Sequence, residues 1–225
     1  MEIQQYQANA KGITLTADFF NFPPKQSVAS EYRKNDAVPV KDQNHMVCSE
    51  EKRIKQILMN LQSNALKFTK ESGDIRIIVE FIKRNAKKKA SYGMIAENFA
   101  DFSSSSEDSQ PDSDNQLDDK NKKSDHHKLD EIFQPSPSND KLVISVIDTG
   151  VGINKEDRRK LFKLFGKVTN TKGMNTQGIG LGLVISENLV KCFDGQIGVR
   201  SQYGKGSHFA FSILLDNEED QVNED

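Results

Sequence analysis

The sequence holds little that would point to export, a metal framework or a membrane. Its two cysteines, Cys48 and Cys192, stand far apart without metal-ligand spacing, and with no secretory signal they read as reduced thiols. No apolar run approaches the roughly 20 residues that a membrane span needs. The opening Met1-Glu2-Ile3-Gln4-Gln5 lacks the basic-then-apolar order of a signal peptide. An excess of one charge is missing too: 31 Lys and Arg face 33 Asp and Glu, a net −2 that gives no footprint for nucleic acid or an anionic membrane. These absences leave a cytosolic chain, or the cytosolic part of a larger one. At 225 residues it is long enough for one sizeable domain with appendages.

What is present is patterned. Gly12–Phe20 alternates as a half-buried strand does, and Pro23-Pro24 stops it. Residues 25–48 read as an irregular approach. At Ser49-Glu50-Glu51 a helix begins, with a capping hydroxyl and acids in its first turn. Ile54, Ile57, Leu58, Leu61, Ala65 and Phe68 then form its core-facing stripe. Ile75–Lys83 is a strand. From about 85 to 140 the chain turns Lys-, Ser- and Asp-rich, including Ser103–Ser106, and too poor in apolar residues to offset its ordering entropy. A disordered insertion is expected there, not a second domain.

Order resumes with the strand Leu142–Ile147, which runs straight into Asp148-Thr-Gly150-Val-Gly152. Asn154-Lys155-Glu156-Asp157 caps a helix carrying Leu161, Phe162, Leu164 and Phe165. A polar stretch, 166–177, ends in Gly178-Ile-Gly180-Leu-Gly182 at the start of another apolar-periodic helix. The chain closes with a hairpin, 196–215, and an acidic tail at 216–225 with no core to join. Strands joined by hairpins, with helices that must pack on them, predict an α+β fold: a two-layer α/β sandwich, helices on one face of a mixed sheet. One domain, 1–215, interrupted at 85–140, accounts for the whole pattern.

Three features carry chemistry. Asp148 ends an apolar strand and offers two acceptor oxygens to an amine, and the glycines after it allow close backbone approach. Asn60, Asn64 and Lys67 share one helical face beside the core stripe. The glycines before a helix start leave N–H groups to face an anion, as a lid over a phosphate chain would. Taken singly, each has a plainer reading: an Asp-Thr-Gly turn, a solvated polar face, a loop that only turns.

Taken in order, Asn60-Leu-Gln-Ser-Asn64-Ala-Leu-Lys67-Phe-Thr, Asp148-Thr-Gly150-Val-Gly152-Ile, Leu161-Phe162-Lys-Leu-Phe165, Gly178-Ile-Gly180-Leu-Gly182-Leu and Gly204-Lys-Gly206-Ser-His-Phe resemble the N, G1, F, G2 and G3 boxes of the histidine-kinase ATP-binding domain. That domain belongs to the gyrase, Hsp90, histidine kinase and MutL superfamily with the Bergerat fold. The resemblance implies that Asp148 accepts from the adenine amino group, with Gly150 and Gly152 giving the ring room. It implies that Asn64 coordinates Mg²⁺, a hard ion suited to an amide oxygen, that Lys67 meets the phosphates of ATP, and that Asn60 lines the same face. Phe162 and Phe165 anchor the lid or simply pack in the core. Gly178, Gly180 and Gly182 let the lid fold over, and Gly204 and Gly206 shape the turn near adenine. Ser207 holds a water there or is an ordinary strand-start serine.

Within that superfamily, hydrolysing clamps typically carry a glutamate base one turn before the metal-binding Asn. Here that position is Asn60, and an amide cannot take a proton. The resemblance therefore implies a sensor histidine kinase of the hybrid kind, a phosphotransferase that passes the γ-phosphate to a histidine on a dimerisation domain and thence to a response-regulator receiver domain. None of His45, His126, His127 and His208 has the acceptor pattern, so the acceptor domain is expected outside this chain, with Gln4–Gly12 its trailing end. A nonenzymatic, ATP-dependent interaction module is the alternative. A hydrolysing clamp is the third reading.

Overall fold

The computed structural model describes residues 2–22, 43–86, 125–163 and 180–215. In chain order these form α1 (Glu2–Ala10), β1 (Thr14–Phe20), α2 (Gln43–Phe68), β2 (Asp74–Ile82), α3 (Asp125–Ile132), β3 (Asp140–Asp148), α4 (Lys155–Arg158), α5 (Gly182–Lys191), β4 (Ile197–Gln202) and β5 (Gly206–Leu215). The strands make one mixed sheet in the order β1-β2-β3-β5-β4. β1 and β2 are parallel, which requires a crossover, and α2 lies in that connection; the remaining pairs are antiparallel. The expected α+β class and mixed sheet are what the chain forms.

Strand alternation sorts the side chains onto two faces. Ile75, Ile77, Ile144, Val146, Phe209 and Phe211 pack with Ile57, Leu61 and Ala65 of α2 and Val190 of α5 in one buried cluster. The α2 stripe read from the sequence is thus the core-facing one. Ile78, Ile82, Val143, Ile147 and Ala210 face the other way and are also buried, under Leu129, Ile132 and Phe133. Here the sequence misleads. The insertion expected to be disordered up to Asp140 yields α3 near its end, and α3 covers the sheet face opposite to α2 and α5.

Charged groups hold the C-terminal end of α3. Arg200 of β4 pairs with Asp130 at 2.9 Å, and the buried Lys141 ammonium donates to the carbonyls of Ile132 (3.2 Å) and Gln134 (2.7 Å). A cation at the C-terminal end of a helix meets carbonyls that have no intrahelical donor. Burial pushes the Lys141 pKa below the usual lysine value, and these two carbonyls are what it binds instead of water.

Other boundaries shift. α2 begins at Gln43, six residues before the expected cap, so His45 lies on this helix and not in an irregular approach. His126 and His127 lie on α3. Gln4–Ala10 lie within the helix α1, whose Ala8 is fully buried in the main cluster. α4 is a single turn, capped as expected: Asn154 Oδ1 accepts from the Asp157 N–H at 2.7 Å, and Asn154 Nδ2 donates back to Asp157 at 3.0 Å. Residues 23–42, Ser103–Ser106, Phe165, Gly178 and the tail 216–225 lie outside the described residues.

Candidate functional site

β3 carries Asp148 to the end of the sheet between β2 and β5, opposite Ile75 on one side and Ser207 on the other. The carboxylate is 5 % exposed. Its Oδ1 accepts from the Gly150 N–H at 2.8 Å, and the Ser207 N–H also hydrogen-bonds it. Burial pushes its pKa up from 3.8 to about 6 although both N–H groups oppose the rise. A carboxylate held so far from water, at a strand end and with no cation paired to it among the described residues, is suited to accept from a neutral amine.

The glycines around Asp148 are set by protein neighbours. A Cβ at Gly150 would sit 2.6 Å from the Phe68 carbonyl oxygen at the end of α2. One at Gly152, where φ is +66°, would overlap the Gln202 carbonyl, and one at Gly206 would overlap that of Asp148. These three glycines therefore bring three backbones together: the α2 end, the Asp148 turn and the β4–β5 hairpin. Hydrogen bonds close the same joint. The Val151 N–H donates to Phe68 O at 3.1 Å and the Gly204 N–H to Val151 O at 2.7 Å. Gly204 itself has open space around it and is required by the turn, at φ +83°.

Ser207 is buried, and its hydroxyl lies 3.0 Å from that of Ser201. Ser201 in turn donates to Gly206 O and accepts from the Ile153 N–H, both at 2.8 Å. Sequence reasoning missed Ser201. It is the hydroxyl that fastens the Asp148 turn to the hairpin, and nothing in the local pattern marks it.

The α2 row sits between two contacts. Asn60, Asn64 and Phe68 follow at steps of four, so they form one ridge, with about 6 Å of rise between neighbours. At one end Phe68 O meets the Asp148 turn. At the other, Asn60 Nδ2 donates to Ser186 Oγ of α5 at 2.7 Å. Asn64, partly exposed, stands midway between the acid turn and the start of α5. Lys67 is placed differently: its ammonium is 5.3 Å from the Phe68 ring centre, and it lines a cleft of about 590 Å³ with Lys11, Thr69, Lys70 and Glu71. Phe162 packs against the main cluster beside Leu161. Gly180 adopts φ +76°, just before α5. Gly182 abuts Asn60: a Cβ there would overlap its Oδ1.

His208 is 3 % exposed, with Nε2 3.0 Å from Ser145 Oγ and its ring beside Phe133. Burial, helped by the Arg200 charge, lowers its pKa to about 3, so it stays neutral in the core, out of reach of a phosphoryl donor. No group of three or more metal-binding His, Cys, Asp or Glu side chains occurs among the described residues. Among them, too, no helix is long and apolar enough to cross a membrane.

Residues 113–217 match the profile of the family described as "Histidine kinase-, DNA gyrase B-, and HSP90-like ATPase". This chain belongs to that family by its C-terminal half. The profile covers the Asp148 turn, the glycines and the hairpin, but not the α2 row. Alignments with curated relatives reach further. The chain is 30 % identical over 219 residues to Histidine kinase 3 of Arabidopsis thaliana, covering 96 % of this chain and 20 % of that protein. It is 25 % identical to the non-motile and phage-resistance protein of Caulobacter vibrioides, covering 97 % and 17 %. It thus spans about a fifth of the length of these curated relatives. Among solved structures, the catalytic domain of histidine kinase ThkA superposes with a TM-score of 0.49 at 19 % identity, covering 95 % of this chain and 87 % of that one.

Proposed function

We propose that this ATPase-family chain is the ATP–Mg²⁺-binding catalytic domain of a hybrid sensor histidine kinase, acting on the cytoplasmic side. It would donate the γ-phosphate to a histidine of a dimerisation domain that these residues do not include, with a receiver domain as the next acceptor. One observation carries the reading: a buried carboxylate at the end of β3, bounded by the α2 end and the β4–β5 hairpin, with Asn64 on the α2 ridge between that turn and the glycine start of α5. In this assignment Asp148 grips the adenine amino group, Asn64 holds the cation, and Lys67 supplies positive charge towards the phosphates.

The residues suit magnesium. Mg²⁺ keeps most of its waters and takes one or two hard oxygens from the protein plus phosphate oxygens, so a single amide oxygen at Asn64 is a fitting donor set. When bound, the ion neutralises phosphate charge; the chain's own part is to hold and orient the nucleotide and to keep water from it.

Two other readings predict different behaviour. A hydrolysing clamp needs a base where Asn60 stands, and the Asn60 amide is engaged by Ser186. A nonenzymatic module would bind ATP and transfer nothing. The deciding experiment supplies γ-labelled ATP with a separately purified acceptor-histidine domain. Label on the acceptor's histidine supports the kinase, binding without transfer supports the module, and rapid phosphate release by the chain alone supports the clamp.

A further inference from the structure

Where α2 meets α5, apolar side chains surround a polar pair. Ile54, Leu58, Leu183 and Leu189 pack at the main cluster, yet Asn60 and Ser186 meet there through a 2.7 Å hydrogen bond. Ser186 is 2 % exposed, so its hydroxyl has no water to turn to. A buried helical serine can give its proton to the carbonyl one turn back, which leaves its lone pairs for the Asn60 N–H. One turn before it on α5, Gly182 lies against the other end of the same amide, where any Cβ would overlap Oδ1. The Asn60 amide is therefore bonded through its nitrogen to Ser186, while its oxygen lies where a side chain at position 182 would have to sit.

Such a pair does little for stability, because two apolar groups of the same shape in its place are often neutral or stabilising. What it supplies is register. Sliding α5 by one turn, about 5.4 Å, breaks the bond and moves Ser186 away from Asn60, whereas the leucines around it tolerate a slip. The register matters because α5 begins at the glycines and α2 carries Asn64 one turn beyond Asn60.

We infer that Ser186 is a positioning residue for the nucleotide site: it fixes the Asn60 amide and thereby sets the start of α5, with Gly180 just before it, against the α2 ridge that carries Asn64. This rests on the nucleotide-binding reading above, which assigns no role to Ser186. It acts through Asn60 and touches no ligand itself.

The test is a double-mutant cycle in the full chain, Asn60→Ala against Ser186→Ala, read as the affinity for a nonhydrolysable ATP analogue with Mg²⁺ by calorimetry, with thermal melts alongside. Ser186→Ala is expected to weaken binding by about three- to tenfold in the wild type, the scale of one neutral hydrogen bond, and to cost nothing further once Asn60 is alanine. Gly182→Ala gives a second readout that does not depend on Ser186. Its methyl collides with the Asn60 amide, so it is expected to damage binding in the wild type and to be partly rescued by Asn60→Ala. A merely structural serine would lower the melting temperature, with the coupling to Asn60 confined to stability, and leave the affinity of the folded protein unchanged. Additive losses, or full affinity in Ser186→Ala, overturn the proposal while leaving the nucleotide reading intact. Failure of the wild type to bind the analogue at all overturns both.

Discussion

Asp148 shows how one residue can be poor for the fold and useful to the site. Its pKa is about 6 in the folded chain against 3.8 ordinarily, so between those values the native state holds the proton more tightly than the unfolded state does. Stability from this group is therefore greatest below the lower value, falls as pH rises through that window, and the full cost of burying the charge is present above about 6. Asparagine carries no such cost. Asp148→Asn is expected to make the ligand-free protein more resistant to urea at pH 8, by on the order of 1–3 kcal/mol, with the gain shrinking toward pH 4. The same substitution removes a charged acceptor from the adenine end, which is expected to weaken ATP binding by roughly 1.5–3 kcal/mol. Urea titrations at the two pH values and calorimetry at the higher one check both halves. A variant that is less stable and binds equally well would remove Asp148 from the site.

At the scale of elements, the legible parts were those whose signal is local. Five strands alternate or run apolar along their own length, the α2 stripe repeats at three and four, and Asn154 caps α4 within four residues. α3 was not legible. Its stretch Asp125-His-His-Lys-Leu-Asp-Glu-Ile carries only Leu129 and Ile132 as apolar anchors, with Phe133 following, and it adjoins a long polar tract. What makes it a helix is the buried face that β2, β3 and β5 present, which is visible only once the sheet exists. Helices this short draw most of their stability from such packing and not from propensity. Gly198 belongs to the same fit: a Cβ there would stand 3.1 Å from Ile132 Cδ1. Leu129 is 0 % exposed, so Leu129→Ala is expected to destabilise the fold by about 2–5 kcal/mol in urea denaturation. A change near zero would mean that α3 is not docked. The Asn60–Ser186 bond escaped for a related reason: its partners are 126 positions apart, and each alone is an unremarkable polar residue on a helix.

Across the whole molecule, ligand and proton compete for the same carboxylate. The form of Asp148 that accepts from an adenine amino group is the ionised one, and at pH 7 to 8 that form dominates. Below about pH 6 the site must first release a proton, so affinity is expected to fall by about tenfold per pH unit, and binding to release up to one proton from the protein. Above pH 7 both effects vanish. Because anything that binds only the native state stabilises it in proportion to RT ln(1 + [L]/Kd), the nucleotide-induced rise in melting temperature should shrink in the same window. The phosphates of ATP titrate as well, so the comparison is made against Asp148→Asn, in which the protein's share of the pH dependence disappears and the nucleotide's remains. Calorimetry from pH 5 to 8 in two buffers of different ionisation enthalpy reads the proton count directly. Identical pH profiles for the wild type and the variant would show that the adenine end of the ligand does not rest on Asp148, whatever else α2 and α5 hold.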